Sequence, residues 1–418
     1  MKKILPLVSF LMMILFQGQG QSADSLMIKK ISDEIFMNGT AYSNLKYLCK
    51  KVGPRLSGSS GAALAVEQTA RMLREAGADT VFLQPCMVPH WVRGDKEVGK
   101  ATLVDGKKID LNIVALGNAV GTPSSGIQAE VVEVKNFQEL EKLGADNVRG
   151  KIVFYNYRMD PRYINTFQAY GEAGAYRSAG PSRAAALGAI GVIVRTLSPV
   201  LDDHPHTGAT RYEEGKPKIP AVAISTNGAV ELSKMIADKK VKSVYIKTNC
   251  QMLEDAPSFN VIGEIKGSEF PNEVITVGGH LDSWDLAEGA HDDGTGCVQS
   301  IEIIRALKAL GIKPKRTIRA VMFMNEENGL RGGTKYAEVA KQENKTFIMG
   351  LESDAGGFTP RGFGYSATAS QSATIEKWQS LFIPYGAAEF KRGGGGADIG
   401  PLRSLGTALI GLNPDSQR

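Results

Sequence analysis

Histidines and carboxylates crowd into one short stretch, GGHLDSWDLAEGAHDDGTG at residues 278–296, directly after an apolar run. Between its glycines lie His280, Asp282, Asp285, Glu288, His291, Asp292 and Asp293. Acids also follow two other apolar runs: Glu326 and Glu327 end IRAVMFMNEE, and Asp354 ends IMGLESD. In open α/β sheets the ligand site lies beyond the carboxyl ends of the strands. Three strands ending in this way bring His280, the Glu326–Glu327 pair and Asp354 to one edge, with Asp292 on the loop that leaves the first. Carboxylates gathered without partners repel each other and resist ionising. A bound cation removes that penalty where a salt bridge would not. Imidazole with several carboxylates suits zinc, or less specifically manganese, better than calcium. The acids outnumber what one tetrahedral ion takes, which points to two ions sharing a bridging carboxylate, typically ~3.5–4 Å apart. Each residue alone has a plainer reading. Strand-end carboxylates often cap the next helix, as Asp292 or Asp293 could before GTGCVQS, and a lone histidine is more often structural. Their convergence on one edge favours the metal.

The elements that must position these groups follow an α/β rhythm from residue 259 onward. FNVIGEIKG, EVITVGGH, RTIRAVMFMNEE, TFIMGLESD and GTALIGLN read as strands. CVQSIEIIRALKALG, TKYAEVAKQ and SATIEKWQSLFIPYG between them read as helices. In the first helix Gln299, Glu302, Arg305 and Lys308 form one narrow polar stripe, so most of its circumference is buried. The fold class expected is α/β, a mixed and mostly parallel sheet covered by helices on both faces. Upstream, Ala62, Val66, Ala70 and Leu73 recur at helical spacing and Gly77 closes that helix. The strand TVFLQP follows, then VPHWVRGDKEVG, which reads as irregular. The turn cluster GTPSSG at 121–126 is the best boundary in the first half. Residues 121–250 hold short apolar runs but no convergent acids, as an inserted domain would. The expected division is residues 1–22 as a signal peptide, 23–120 and 251–418 as the two parts of the main domain, and 121–250 as the insert.

The 418 residues are 43% hydrophobic and 22% charged, with a formal net charge of +5. There is no dense basic block and no aromatic–basic interleaving, which argues against nucleic acid as a partner. MKKILPLVSFLMMILFQGQGQSADS opens with two lysines and thirteen almost wholly apolar residues. That pattern is a secretory signal peptide, too short for a permanent span, with an N-terminal anchor as the alternative. An exported protein with no membrane attachment after cleavage is expected. Cys49, Cys86, Cys250 and Cys297 are scattered and form no C-x-x-C, so the fold does not depend on a disulfide framework.

GGHLDSWD, GAHDDGTG, NEENG and LESDAGG resemble the motifs of the co-catalytic dinuclear zinc exopeptidases. The likeness extends to VGPRLSGS at 52–59, VPHWVRG at 88–94, PHTG at 205–208, PKIP at 217–220 and PKRTIR at 314–319, nearly the whole chain beyond its first residues. It implies a protease-associated domain for the 121–250 insert. It also implies that His280 and Asp354 hold one zinc and Glu327 the other, that Asp292 bridges them, and that Glu326 is the general base. Asp282 would orient the His280 ring from behind. Asp285, Glu288 and Asp293 are then local structure or helix entry, and His291 has no assigned role. The resemblance further implies one more histidine ligand near the C-terminus. His90, His204, His206 and His291 lie in other motifs, so the chain is expected to be truncated, or its second zinc site incomplete.

These readings imply hydrolysis of short peptides, most plausibly dipeptides, with no covalent enzyme intermediate, and the resemblance suggests a homodimer. G-x-S-x-G and H-E-x-x-H are absent. An aminopeptidase of the same fold is the nearest alternative. An inactive binding module and a two-metal phosphoesterase are the others. KRGGGGADIGP at 391–401 reads as a flexible loop lining the cleft, where Asp398 could touch substrate, and DDHPHTG at 202–208 as a loop over its mouth.

Overall fold

The computed structural model describes residues 22–415. Residues 1–22, expected from their sequence to be a signal peptide, lie almost entirely outside them. No helix among the described residues is long and apolar enough to cross a membrane.

An eight-stranded sheet organises the half of the molecule that carries the acids. Across it the order is Thr80–Val92, Gln251–Ile265, Arg316–Phe323, Phe270–His280, Thr346–Glu352, Ala408–Pro414, Pro360–Ser366 and Glu389–Arg392. The centre is parallel: Phe270–His280 runs parallel to both Arg316–Phe323 and Thr346–Glu352, and the latter to Ala408–Pro414. Both long strands on the first edge are antiparallel. Side chains leave a strand on alternate faces, so a buried central strand must be apolar on both. Val274 and Val277 accordingly face different cores. One core packs helices Ser60–Glu75 and Thr295–Ala309 on the sheet through Leu73, Ile301 and Ile304. The other packs Arg331–Gln342 through Tyr336, Ala337 and Ala340. The α/β sandwich expected from the sequence is therefore the fold observed.

Arg319 sits inside this sheet with 2% of its side chain exposed. Its Nε donates to Glu264 at 2.6 Å, and both Nη atoms donate to Glu343 at 3.0 Å. Removing the guanidinium would leave these two largely buried carboxylates with only Lys345, 3.7 Å from Glu264 and 3.1 Å from Glu343. Arg319→Met should therefore destabilise the fold by about 3–5 kcal/mol, read from urea unfolding.

Two smaller sheets form the second unit. One is antiparallel, in the order Lys108–Leu111, Val98–Leu103, Val241–Lys247, Ile127–Ala129. The other runs Ile113–Ala115, Ala221–Ile224, Gly191–Arg195, Ile152–Tyr155, Val131–Val134, and all but its first strand are parallel. Strands from Val98 to Ala115 thus pair with the 127–247 block, and the sheet boundary falls near residue 97 instead of 121. A turn cluster marks a break in the chain, not necessarily a break in the hydrogen-bond ladder. VPHWV, read as irregular, is likewise strand, extended by its antiparallel partner to Val92. The four cysteines are free and buried.

Candidate metal centre

The parallel strands place the acids as their spacing predicted. Phe270–His280 ends on His280, and Asp354 follows Thr346–Glu352 by two residues. Glu326 and Glu327 sit on the turn after Arg316–Phe323. Gly289 opens the segment that carries Asp292. His280, Asp292 and Asp354 each offer a donor atom, all within 4.8 Å of one another. His280 Nε2 lies 2.9 Å from Asp292 Oδ1, 3.2 Å from Asp354 Oδ1 and 4.0 Å from Glu326 Oε2.

Tautomer logic sharpens what this arrangement needs. His280 Nδ1 faces the backbone carbonyl of Asp282 at 3.0 Å, and a carbonyl can only accept. Nδ1 therefore carries a proton, and the neutral ring would turn its Nε2 lone pair onto three carboxylates. Only a second proton or a cation makes that favourable. Burial opposes a charged His280, yet Asp292 and Asp354 hold it well above its ordinary range. Burial pushes Glu326 up to about 7, against the pull of His280 and with the help of Asp354. Burial and the charge of Asp292 drive Glu327 well above the usual carboxylate range. Proton uptake of this kind is what crowded carboxylates do when left to themselves. A divalent cation relieves the same repulsion, and one imidazole with several carboxylate oxygens is a donor set zinc accepts. These residues fit a metal.

The supporting contacts depart from expectation at Asp282. Its backbone carbonyl, not its carboxylate, meets the His280 ring, and Oδ1 lies 3.8 Å from Nδ1. The carboxylate instead accepts backbone N–H groups from Asn325 at 2.7 Å, Glu326 at 3.0 Å and Glu327 at 3.3 Å. Asp282 thus anchors the turn that presents the glutamate pair. That turn opens with Asn325 at φ +75°, a left-handed conformation. The Asn325 amide donates to Ser57 and Asn328, and its oxygen accepts from Leu330 and Arg331.

Asp293 is fully buried and accepts from the His280 backbone N–H at 3.0 Å and from Gly296 N–H at 2.9 Å. A Cβ on Gly279 or Gly296 would collide with its carboxylate, which explains both glycines. Asp285 pairs with Arg93 and Glu288 with Lys50. All three are structural, in line with the sequence reading. His291 lies against Phe358, with ring centroids 4.5 Å apart, at the wall of the same cavity.

Sequence reasoning missed Arg55, although VGPRLSGS stood out. The side chain is wholly buried without an acid. It donates to the carbonyls of Leu281 at 2.7 Å, Glu288 at 2.7 Å, Gly289 at 2.9 Å and Gly53 at 3.2 Å. Three of these belong to the loop between His280 and Asp292, so one guanidinium ties down both ends of that loop. Arg55→Leu should lower kcat/KM at least tenfold by loosening it, measured at saturating zinc.

Asp398 needs correcting. It is buried beside Glu352 and cannot meet substrate at the cleft. Both of its carboxylate oxygens and Glu352 Oε1 have no hydrogen-bond partner. Burial pushes Glu352 up to about 7 and Asp398 well above the ordinary range. The four glycines at 393–396 are not a flexible rim either. Gly393 and Gly394 are exposed, but Gly395 and Gly396 pack on the sheet, where a Cβ would meet Leu409 and the Glu352 carboxylate respectively.

Asp292, Glu326, Glu327 and Asp354 face a cavity of about 770 Å³. Trp284 and His291 flank them. The second unit contributes further lining: Tyr170 and Arg177 on helix Thr166–Ser178, then His206, Thr207 and Arg211. The 202–208 loop therefore does border the mouth, as its sequence suggested.

A central parallel sheet that carries an imidazole and carboxylates from its strand ends to the floor of a cavity defines a metal-dependent hydrolase. Residues 260–417 match the family model described as Peptidase family M28. Carboxypeptidase Q from Bos taurus is 37% identical over 86% of this chain and 74% of its own length. Among solved structures, a Peptidase M28 precursor from Shewanella amazonensis SB2B superposes with a TM-score of 0.89 at 31% identity, covering 95% of this chain and 89% of that one. A zinc aminopeptidase from Bacillus subtilis shares the fold, at a TM-score of 0.64 and 20% identity over 90% of this chain and 84% of its own. The chain belongs to peptidase family M28, and it is a metallopeptidase.

Proposed function

We propose that this chain is an exported two-zinc exopeptidase that cleaves short peptides, dipeptides foremost, in the manner that the name carboxypeptidase Q implies for its relatives. The observation that carries this reading is the cavity, lined both by the acids and by basic side chains. Its volume of about 770 Å³ suits a small ligand more than an extended chain.

In this reading His280, Asp292, Asp354 and Glu327 would together hold the two ions. Zinc, when bound, supplies Lewis-acid polarisation of the scissile carbonyl and lowers the pKa of water. The chain supplies the rest. Glu326 lies 4.0 Å from His280 Nε2, on the cavity side of the trio, where its carboxylate can take a proton from the attacking water and return it to the departing amine. Asp282 holds the Glu326 backbone in register, and Arg55 holds the loop bearing Asp292. The second unit, a protease-associated insert in this reading, narrows access from above.

Elemental analysis of the dialysed protein and hydrolysis of a free dipeptide test the proposal together. Two zinc ions per chain, with cleavage that chelation abolishes and zinc restores, are expected. Hydrolysis that survives full removal of metal would overturn it. The N-acetylated dipeptide distinguishes an aminopeptidase, which requires the free amine. N-terminal sequencing of the mature protein tests export, and sedimentation tests the homodimer.

A further inference from the structure

No ion pair among the described residues neutralises Arg177. It lies in the last turn of helix Thr166–Ser178 and lines the same cavity as the acids. Tyr170 fixes it twice: Arg177 Nη2 donates to the phenol oxygen at 2.6 Å, and the guanidinium carbon lies 5.2 Å from the ring centroid. Gly208 of the PHTG loop, at φ +145°, lets the guanidinium lie on the backbone, since a Cβ there would collide with it. Yet Arg177 Nε is buried without an acceptor, and Arg177 joins no ion pair among the described residues. A buried N–H left unmet is costly. Nε is closed off against Gly208, so a ligand would meet the guanidinium at its Nη end, and a preorganised guanidinium lining a cavity suits a planar anion there.

We infer that Arg177 binds the free α-carboxylate of the substrate's C-terminal residue and so fixes specificity for short peptides with an unblocked C-terminus. The inference rests on the proposed peptidase reading and deepens it. Charge complementarity supports the orientation. The carboxylate end is drawn to the guanidinium and repelled by the acids, which leaves the scissile carbonyl nearer Glu326. Arg211 lines the same cavity, but its side chain is exposed and nothing holds it. Arg177 is the residue already set in one geometry.

Alanyl-leucine and its C-terminal amide, assayed with zinc-loaded enzyme, test the assignment. Wild type should prefer the acid at least tenfold in kcat/KM. Arg177→Gln should cut that ratio about 10- to 100-fold, mainly through KM for the acid, and Arg177→Lys should restore part of it. Free leucine, a product bearing the carboxylate, should inhibit wild type at least tenfold more tightly than Arg177→Gln, and wild-type zinc content in the variant certifies its fold. An unchanged ratio in Arg177→Gln overturns the inference, as does a collapse seen in Arg211→Gln instead. If loaded wild type cleaves neither peptide, the peptidase reading itself fails and takes this inference with it. A wild type that cleaves both equally leaves the peptidase reading standing and sinks only the role of Arg177.

Discussion

Glu326→Gln is expected to lower kcat by about 10²–10⁴-fold while zinc content stays at the wild-type value. Glutamine keeps the shape of the side chain and an oxygen acceptor, but it cannot take a proton from water or give one to an amine. Glu326 is the cavity acid best placed for that task. It lies 4.0 Å from His280 Nε2, farther than Asp292 at 2.9 Å and Asp354 at 3.2 Å, so it borders the trio without completing it. The trio of donors within 4.8 Å of one another includes neither it nor Glu327. Metal affinity and proton transfer should therefore separate in this variant. Substrate KM should change little, because the lost step belongs to the transition state. Retained hydrolysis within threefold of wild type would remove Glu326 from the mechanism, and loss of zinc would make it a ligand.

Much of this site is legible in sequence because strands impose a simple rule. A central parallel strand is largely apolar, so charged residues gathered at the end of the run mark the edge where ligands sit. His280, Glu326, Glu327 and Asp354 stand at or just beyond such run ends, with Asp292 on the connecting loop, while the same rule also offers Glu352, which the structure buries beside Asp398. Arg177 breaks no pattern: an arginine in the last turn of a helix reads as an ordinary dipole partner or solvated charge. Its distinction is an unmet Nε, which only three dimensions reveal. Asp398 misleads for the same reason, since glycines around an acid suggest a mobile loop, while here they admit backbone against Glu352. The boundary at 121 fails because VGKATL would alternate in the same way in either sheet, and register is set by its partners. Arg55 is intermediate. Its motif is conspicuous, but the carbonyls it gathers lie more than 220 residues ahead.

Asp282→Ala should be the most damaging change at a residue that does not itself line the cavity. Its carboxylate gathers three backbone N–H groups, from Asn325, Glu326 and Glu327, in the buried interior of the loop. Alanine leaves all three unmet, at about 1–3 kcal/mol for each donor that water cannot reach. The turn must then move to find acceptors, and Glu326 and Glu327 move with it. Loss of a group that orients metal-site residues typically costs 10–100-fold in affinity, and displacing Glu326 from the attacking water should bring the fall in kcat/KM to about 100-fold or more even at saturating zinc. Competition with a chelator measures the first effect, and steady-state kinetics the second. Asp282→Asn separates charge from shape. Its amide oxygen still serves the N–H groups of Asn325 and Glu326, so it should retain most of the zinc affinity that alanine forfeits. If asparagine and alanine lose affinity equally, the negative charge matters through His280, across the 3.8 Å between Asp282 Oδ1 and Nδ1. If asparagine is spared, the carboxylate works as a staple for the glutamate turn, as its hydrogen bonds indicate.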